Sequence, residues 1–213
     1  MITVLMVDDH DIVREGLKQI VFETGDIVVG GEARTGAEAI ERVRNGKWDV
    51  VILDLNLPDR SGIDVLAQIR TIAPQMPVLI LSMHQEVSYA ARLLKAGALG
   101  YVSKDSARDH LVSAIRKLAR GERFLTPALA EGLAFELMGR GDAARHELLS
   151  NREFQILCLI AAGKPPRDIA AELNVSVKTI GTHRARILAK MGFRNNAEIV
   201  QYALEHQLLP GRL

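Results

Sequence analysis

Residues 48–58 read WDVVILDLNLP, an unbroken apolar run at 50–53 that stops at Asp54 and gives way to a loop carrying Asn56 and Pro58. A short β-branched run without polar alternation marks a strand buried on both faces, as in the middle of a parallel sheet. Similar runs stand on either side of it: ITVLMV at 2–7, DIVVGGEA at 26–33, PVLILS at 77–82 and LGYVSK at 99–104. Stretches with helical apolar spacing fill the intervals, at 11–23, 36–45, 61–73, 86–95 and 106–120. This alternation predicts an α/β domain with a five-stranded, doubly wound parallel sheet.

Beyond Arg120 the alternation ends. Residues 121–139 read as one amphipathic helix with Leu129, Leu133 and Leu137 four apart, and GRGDAARHE at 139–147 has no apolar period, as in a flexible linker. From Leu148 onward the pattern is helical only, at 150–163, 166–173, 176–191 and 195–207. The expected organisation is therefore an α/β domain over 1–122, a linker with a helix over 123–147, and an all-α domain over 148–213.

The chain has 213 residues, 48% apolar and 25% charged, which excludes a disulfide-stapled miniprotein and a disordered chain. Cys158 is the only cysteine, so neither an intrachain disulfide nor a Cys-rich zinc site can form. It reads as a buried small hydrophobe in a reducing compartment. The first apolar run ends at Asp8 with no basic stretch before it, unlike a signal peptide, and no run approaches the ~18 to 20 apolar residues of a membrane helix. The expected location is the cytoplasm, with no membrane partner. The net charge of +1 hides an asymmetry: 15 Lys+Arg against 17 Asp+Glu over 1–122, 3 against 4 over 123–147, and 9 against 5 over 148–213. The last segment, at +4, suits a polyanionic partner.

Asp8 and Asp9 end the first predicted strand, Asp54 the third, Ser82 the fourth and Lys104 the fifth. In a doubly wound sheet the carboxyl ends of the strands at the switch point form the ligand crevice. Three carboxylates there repel one another unless a cation neutralises them, and hard oxygen ligands suit Mg²⁺. With a hydroxyl and an ammonium on the same edge the set fits a phosphoryl group, an Asp attacking phosphorus while Lys and Mg²⁺ neutralise the oxygens. Each residue alone has a plainer reading: Asp8, Asp9 or Asp11 as a helix cap, Ser82 as a turn residue, Lys104 as a solvated charge. Their coincidence at successive strand ends favours the phosphoryl reading.

The joint spacing of VDDH, VVILDLNLP, the LS at Ser82 and GYVSK resembles the receiver domain of bacterial two-component response regulators over about 1–122. The resemblance implies that Asp54 accepts phosphate from a sensor histidine kinase. It further implies that Asp9, Asp54 and the Asn56 carbonyl bind Mg²⁺ with Asp8 helping through water, and that Ser82 and Tyr101 form a switch pair. The plain reading of Tyr101 is ordinary packing. Two departures stand out. Asp105 follows Lys104 where many receivers have a cis proline, so a cis bond here would cost ~3 kcal/mol and the isomer is left open. Met83 and His84 follow Ser82 where a small residue is frequent, and a bulky neighbour that slows water predicts a long-lived Asp54 phosphate. A decay rate unchanged in Met83→Ala would contradict this.

Residues 167–187, RDIAAELNVSVKTIGTHRARI, read as a short helix, a turn, a cap at Ser176 and a second helix, the helix-turn-helix pattern. Ile180, Ile187 and Met191 share one face of the second helix, with Lys178, Gly181, Thr182, Ala185 and Ala189 opposite. Thr179, His183, Arg184, Arg186 and Lys190 flank them as further DNA-contact candidates, the cations toward phosphates. The plain alternative is a helical bundle with a solvated basic face. The longer run from LSNREFQIL to LAKMG resembles the LuxR-type DNA-binding domain over about 148–209, and the two halves together resemble a NarL/FixJ-type response regulator. Gly181 stands where such domains commonly place lysine. Small side chains contact thymine methyls but cannot bind guanine bidentately, so weak direct readout and salt-sensitive affinity are expected. Pro165 and Pro166 fall in a first helical turn, where proline is tolerated.

The expected function is a non-enzymatic transcription regulator, homodimeric when phosphorylated, with Ile199, Val200 and Ala203 as a dimer surface of the second domain or, equally, as packing within that domain's own core. Two alternatives differ in class. An aspartyl-phosphate phosphatase needs an acid/base carboxylate two residues after its nucleophile, where this chain has Asn56. A phosphate-independent DNA-binding regulator would use the first domain for dimerisation alone, which leaves the acidic set without a purpose.

Overall fold

A computed structural model describes residues 1–82, 87–138, 145–173, 175–206 and 208. Two compact units emerge, one built on Met1–Gln85 and Ala90–Glu131, the other chiefly on Gly132–Leu213. Of the expected flexible segment at 139–147, residues 139–144 lie outside the described residues, as do the Met83 and His84 positions and Asn174 in the predicted turn, while Arg145–Leu148 form a short 3-10 helix.

In the first unit, β1 (Ile2–Val7), β2 (Ile27–Ala33), β3 (Val50–Asp54), β4 (Val78–Ser82) and β5 (Gly100–Ser103) form one sheet in the order β2-β1-β3-β4-β5. Every pairing is parallel. The order reverses between β1 and β3, which places a crevice at the carboxyl ends of those strands. All residues of β3 and β4 are buried, because their β-branched side chains meet helices on both faces. Those helices are α1 (Asp11–Phe22), α2 (Gly36–Asn45), α3 (Gly62–Ile72), α4 (Val87–Lys95) and α5 (Ala107–Ala119). On one face Met6, Ile52, Leu79 and Leu81 pack with Leu17 and Val21 of α1 and with Leu111, Ile115 and Leu118 of α5. At roughly 1.5 to 3 kcal/mol for each large side chain, this burial fixes the register that aligns the strand ends.

Local capping matches the helix starts. Thr35 and Ser61 accept amide hydrogen bonds from Glu38 and Ile63 at the heads of α2 and α3. The head of α1 differs: its N-cap is His10, which makes no side-chain cap. The Lys104–Asp105 peptide is trans.

After α5, α6 (Pro127–Met138) follows, with Leu129 buried and Leu133 half-buried. The second unit contains α7 (Asn151–Ala161), α8 (Pro166–Glu172), α9 (Val177–Met191) and α10 (Asn196–Glu205). Pro165 and Pro166 open α8, where missing amides cost nothing. Ser150 and Glu153 form a reciprocal capping box on α7, and Cys158 is buried. Ile180, Ile187 and Met191 of α9 are buried. The reading of Ile199, Val200 and Ala203 as a dimer surface gives way to the core-packing one: Ile199 and Ala203 are completely buried and Val200 is half-buried, α10 turning this side into its own unit, while Leu204 is exposed.

Candidate functional site

The carboxyl ends of β1 and β3 bring Asp8, Asp9 and Asp54 together, and β5 delivers Lys104 to the same edge. Lys104 Nζ donates to Asp8 Oδ2 at 2.7 Å and to Asp54 Oδ2 at 2.8 Å, joining residues 96 and 50 positions away in sequence. Asp8 and Asp54 are each almost fully buried. The Leu55 amide donates to Asp54 Oδ1 at 2.7 Å. Burial pushes the Asp54 carboxyl up to about 6, against the opposing pull of Lys104, and the nearby Asp8 charge adds to the rise. Burial works against the Lys104 charge as well, but Asp54 and Asp8 outweigh it and hold the ammonium above its ordinary range.

Asp9 Oδ1 is shielded from solvent and has no hydrogen bond. Its neighbour His10 Nδ1 lies at 2.8 Å and is hydrogen-bonded to Asp8 Oδ1 at 3.1 Å. Ligand atoms from Asp8, Asp9, His10 and Asp54 all lie within 4.8 Å of one another. An orphaned buried carboxylate oxygen among two further carboxylates fits a divalent cation.

Ser82 ends β4 and Tyr101 lies in β5, both buried. Asn56 leaves β3 and forms a bridge to Ser61. That loop is tight because Gly62 donates to the Leu55 carbonyl at 2.8 Å. A Cβ at Gly62 would fall 2.3 Å from the Asp54 carbonyl oxygen, so only glycine fits behind the site.

Three neighbours of the site were not singled out from sequence: His10, Arg14 and Gly62. Arg14 is buried under the β1–α1 turn, where Nη1 donates to the Asp8 carbonyl at 2.7 Å and Nε to Glu32 at 2.9 Å. Its Nη2 pairs with Asp11. A basic residue on a helix reads as solvated by default, and only the fold shows it anchoring the turn.

In the second unit, Ser176 caps α9 by accepting from the Thr179 amide at 3.0 Å. Arg152 Nη2 donates to the Leu173 carbonyl at 2.8 Å, closing the preceding turn. Lys178, Thr182 and Arg186 recur every fourth residue and are exposed, and among the described residues neither cation has a side-chain partner. Thr182 Oγ1 returns to the Lys178 carbonyl at 3.1 Å. Arg184 and Lys190 are engaged within the unit, with Asn196 Oδ1 at 2.6 Å and Glu153 Oε2 at 2.6 Å respectively. His183 Nδ1 is buried without a hydrogen bond, and burial, followed by the charges of Arg152 and Arg186, lowers its pKa. A Cβ at Gly181 would meet nothing within 4 Å, so no internal packing demands the glycine.

Comparison with known proteins matches residues 4–116 to the response regulator receiver domain and 147–203 to the bacterial regulatory proteins of the luxR family. The chain belongs to the LuxR-type two-component response regulators. This response regulator is 33% identical over 209 residues to response regulator UvrY of Escherichia coli (strain K12), covering 98% of this chain and 96% of that one. It is 35% identical over 214 residues to oxygen regulatory protein NreC of Staphylococcus epidermidis (strain ATCC 12228), covering 97% and 98%. Among solved structures it resembles RcsB from Salmonella enterica serovar Typhimurium bound to a promoter in the presence of phosphomimetic BeF3−. That match has 27% identity and a TM-score of 0.65 over 94% of this chain and 97% of that one. The response regulator thus acts in transcription regulation through a receiver and a LuxR-type DNA-binding domain. No helix among its described residues is long and apolar enough to cross a membrane.

Proposed function

We propose that Asp54 is the phosphoacceptor of this regulator and that its phosphorylation by a sensor histidine kinase switches a cytoplasmic protein toward dimerisation and tighter binding of double-stranded DNA. The observation that carries this reading is the Lys104 ammonium held between Asp8 and Asp54 at 2.7 and 2.8 Å. Asp54 Oδ attacks phosphorus as the bond to the donor breaks, and Lys104 balances the charge gathering on the phosphoryl oxygens. Asp9, Asp54 and the Asn56 carbonyl would hold Mg²⁺, with Asp8 acting through water. When bound, that ion supplies neutralisation of the carboxylates and of the incoming phosphoryl group. Ser82 would then donate its hydroxyl to a phosphoryl oxygen, and Tyr101, on the adjacent strand, would report the change to the surface. Such a switch needs only two receiver packings whose balance the phosphoryl group shifts.

The proposed working parts are the receiver at 1–122, the linker at 123–147 and the DNA-binding domain at 148–213. DNA contact falls first to Lys178, Thr179, Thr182 and Arg186 on the open face of α9. Arg184 and Lys190 reach phosphates only by releasing Asn196 and Glu153, and His183 supports the helix from its half-buried position. Asn56, in place of a carboxylate, leaves Asp54 phosphate without an adjacent acid/base for hydrolysis, which favours a switch over a phosphatase. The test is intact mass after incubation with Mg²⁺ and a small acyl phosphate. One phosphoryl group on the wild type and none on Asp54→Ala or in chelator is expected; equal modification of Asp54→Ala removes the assignment.

A further inference from the structure

The β3–α3 loop is closed at its base, where Gly62 donates to the Leu55 carbonyl at 2.8 Å and Asn56 bridges Ser61. Its outer end is tied to a different element. Asp59 Oδ1 accepts from the Gly36 amide at 2.7 Å and Oδ2 from the Ala37 amide at 3.0 Å, across 23 and 22 positions of sequence. These are the first two amides of α2, which a helix leaves without partners of its own; the third, Glu38, donates to Thr35 Oγ1 at 3.1 Å. A carboxylate taking two amides at a helix head makes charge-assisted bonds that the helix dipole reinforces. Burial works against the Asp59 charge, but these amides and then Arg60 outweigh it and hold the carboxyl below its ordinary range. The close approach needs glycine at the head of α2: a Cβ at Gly36 would lie 2.6 Å from Arg60 Cγ and from Val65 Cγ2. Arg60 completes the clasp, Nε donating to Asp59 Oδ2 at 3.0 Å and Nη1 to Gln68 Oε1 at 3.1 Å.

Resting on the metal reading above, we infer that Asp59 is a positioning residue for Mg²⁺: by clasping the loop to the head of α2 it holds the Asn56 carbonyl in place for the ion. Mg²⁺ demands near-ideal octahedral geometry and tolerates a misplaced ligand poorly. Asn56 lies in the loop three residues before Asp59, whereas Asp54 belongs to β3 and is fixed by the sheet. A loop released from α2 therefore misplaces the carbonyl ligand and leaves the Asp54 carboxylate where it is. The consequence falls on the affinity for the ion, not on the phosphoryl transfer that follows its binding.

The experiment titrates the folded full chain with Mg²⁺ by calorimetry and follows labelling by acyl phosphate against Mg²⁺ concentration. In Asp59→Ala, Mg²⁺ affinity is expected to fall about tenfold, with half-saturation of labelling shifted in step and the rate recovering at saturating Mg²⁺. Asp59→Asn keeps an oxygen for the Gly36 amide but not the charge, and should fall between Asp59→Ala and wild type. Thr35→Ala removes a cap from the same helix head without touching the loop, and should bind Mg²⁺ as wild type does. Where Asp59→Ala does not fold, Asp59→Asn weaker than Thr35→Ala supports the clasp and equality of the two overturns it. Wild-type affinity in Asp59→Ala also overturns it, as does an Asp59→Asn as weak as Asp59→Ala, the mark of charge alone. Asp54→Ala tests the metal reading separately: wild-type Mg²⁺ affinity there overturns the site itself, whereas its loss beside an unaffected Asp59→Ala overturns only the role of Asp59.

Discussion

Asp54 sits in an environment that resists its own charge. With its carboxyl at about 6, against 3.8 for the free group, Asp54 binds more proton in the metal-free folded state than in the unfolded chain between about pH 4 and 6. The raised folded-state pKa therefore makes this contribution to stability grow as pH falls through that window. In chelator at pH 7.5, Asp54→Asn is expected to stabilise the receiver by about 2–3 kcal/mol in denaturant unfolding, and to remove the gain seen on acidifying the wild type. Equal stability of the two proteins at pH 7.5 would show that Asp54 bears no such penalty. The proposed phosphoacceptor is thus held at a cost to the fold, which a bound cation would relieve. Lys104 is the counterweight: Lys104→Met leaves two buried carboxylates without their shared ammonium and should destabilise the receiver by about 3–5 kcal/mol, measurable in the same experiment.

At the scale of elements, the β3–α3 connection shows why the carboxylate is well placed. Ala at position 62 would force a Cβ to within 2.3 Å of the Asp54 carbonyl oxygen. Gly62→Ala should cost about 1–3 kcal/mol as an overpacking change and slow phosphorylation of Asp54 with acyl phosphate. Wild-type rates in a stably folded variant would sever that link. On α9, open space at Gly181 lets a long side chain enter without disturbing the domain. Gly181→Lys is expected to bind DNA more tightly and to steepen the salt dependence of affinity by about one counterion, read from anisotropy titrations at several salt concentrations. An unchanged slope would place position 181 away from the phosphates.

At the scale of the molecule, the strands, helices and strand-end residues were legible because buried parallel strands and capped helices write themselves as local patterns. Asp8, Asp9, Asp54, Ser82 and Lys104 could be aligned from sequence, since each closes an apolar run and topology alone brings the ends together. His10, Arg14 and Gly62 could not, since their roles depend on what the fold sets opposite them. The same limit explains Ile199 and Ala203, whose apolar face reads in sequence as a partner surface or as core and is filled by the domain's own core, and Lys190, whose charge meets Glu153. Asp54 and His183 respond to acid in opposite senses. The lowered pKa of His183 means the unfolded chain binds the proton first, so the DNA-binding domain should lose stability as pH falls below about 6.5. His183→Gln should flatten that loss in thermal melts of the full chain. The most direct test of the switch is DNA affinity of wild type and Asp54→Ala, with and without acyl phosphate and Mg²⁺, at fixed salt. A gain in affinity confined to phosphorylated wild type is the predicted result; equal affinity in all four conditions, with phosphorylation verified by mass, would contradict it.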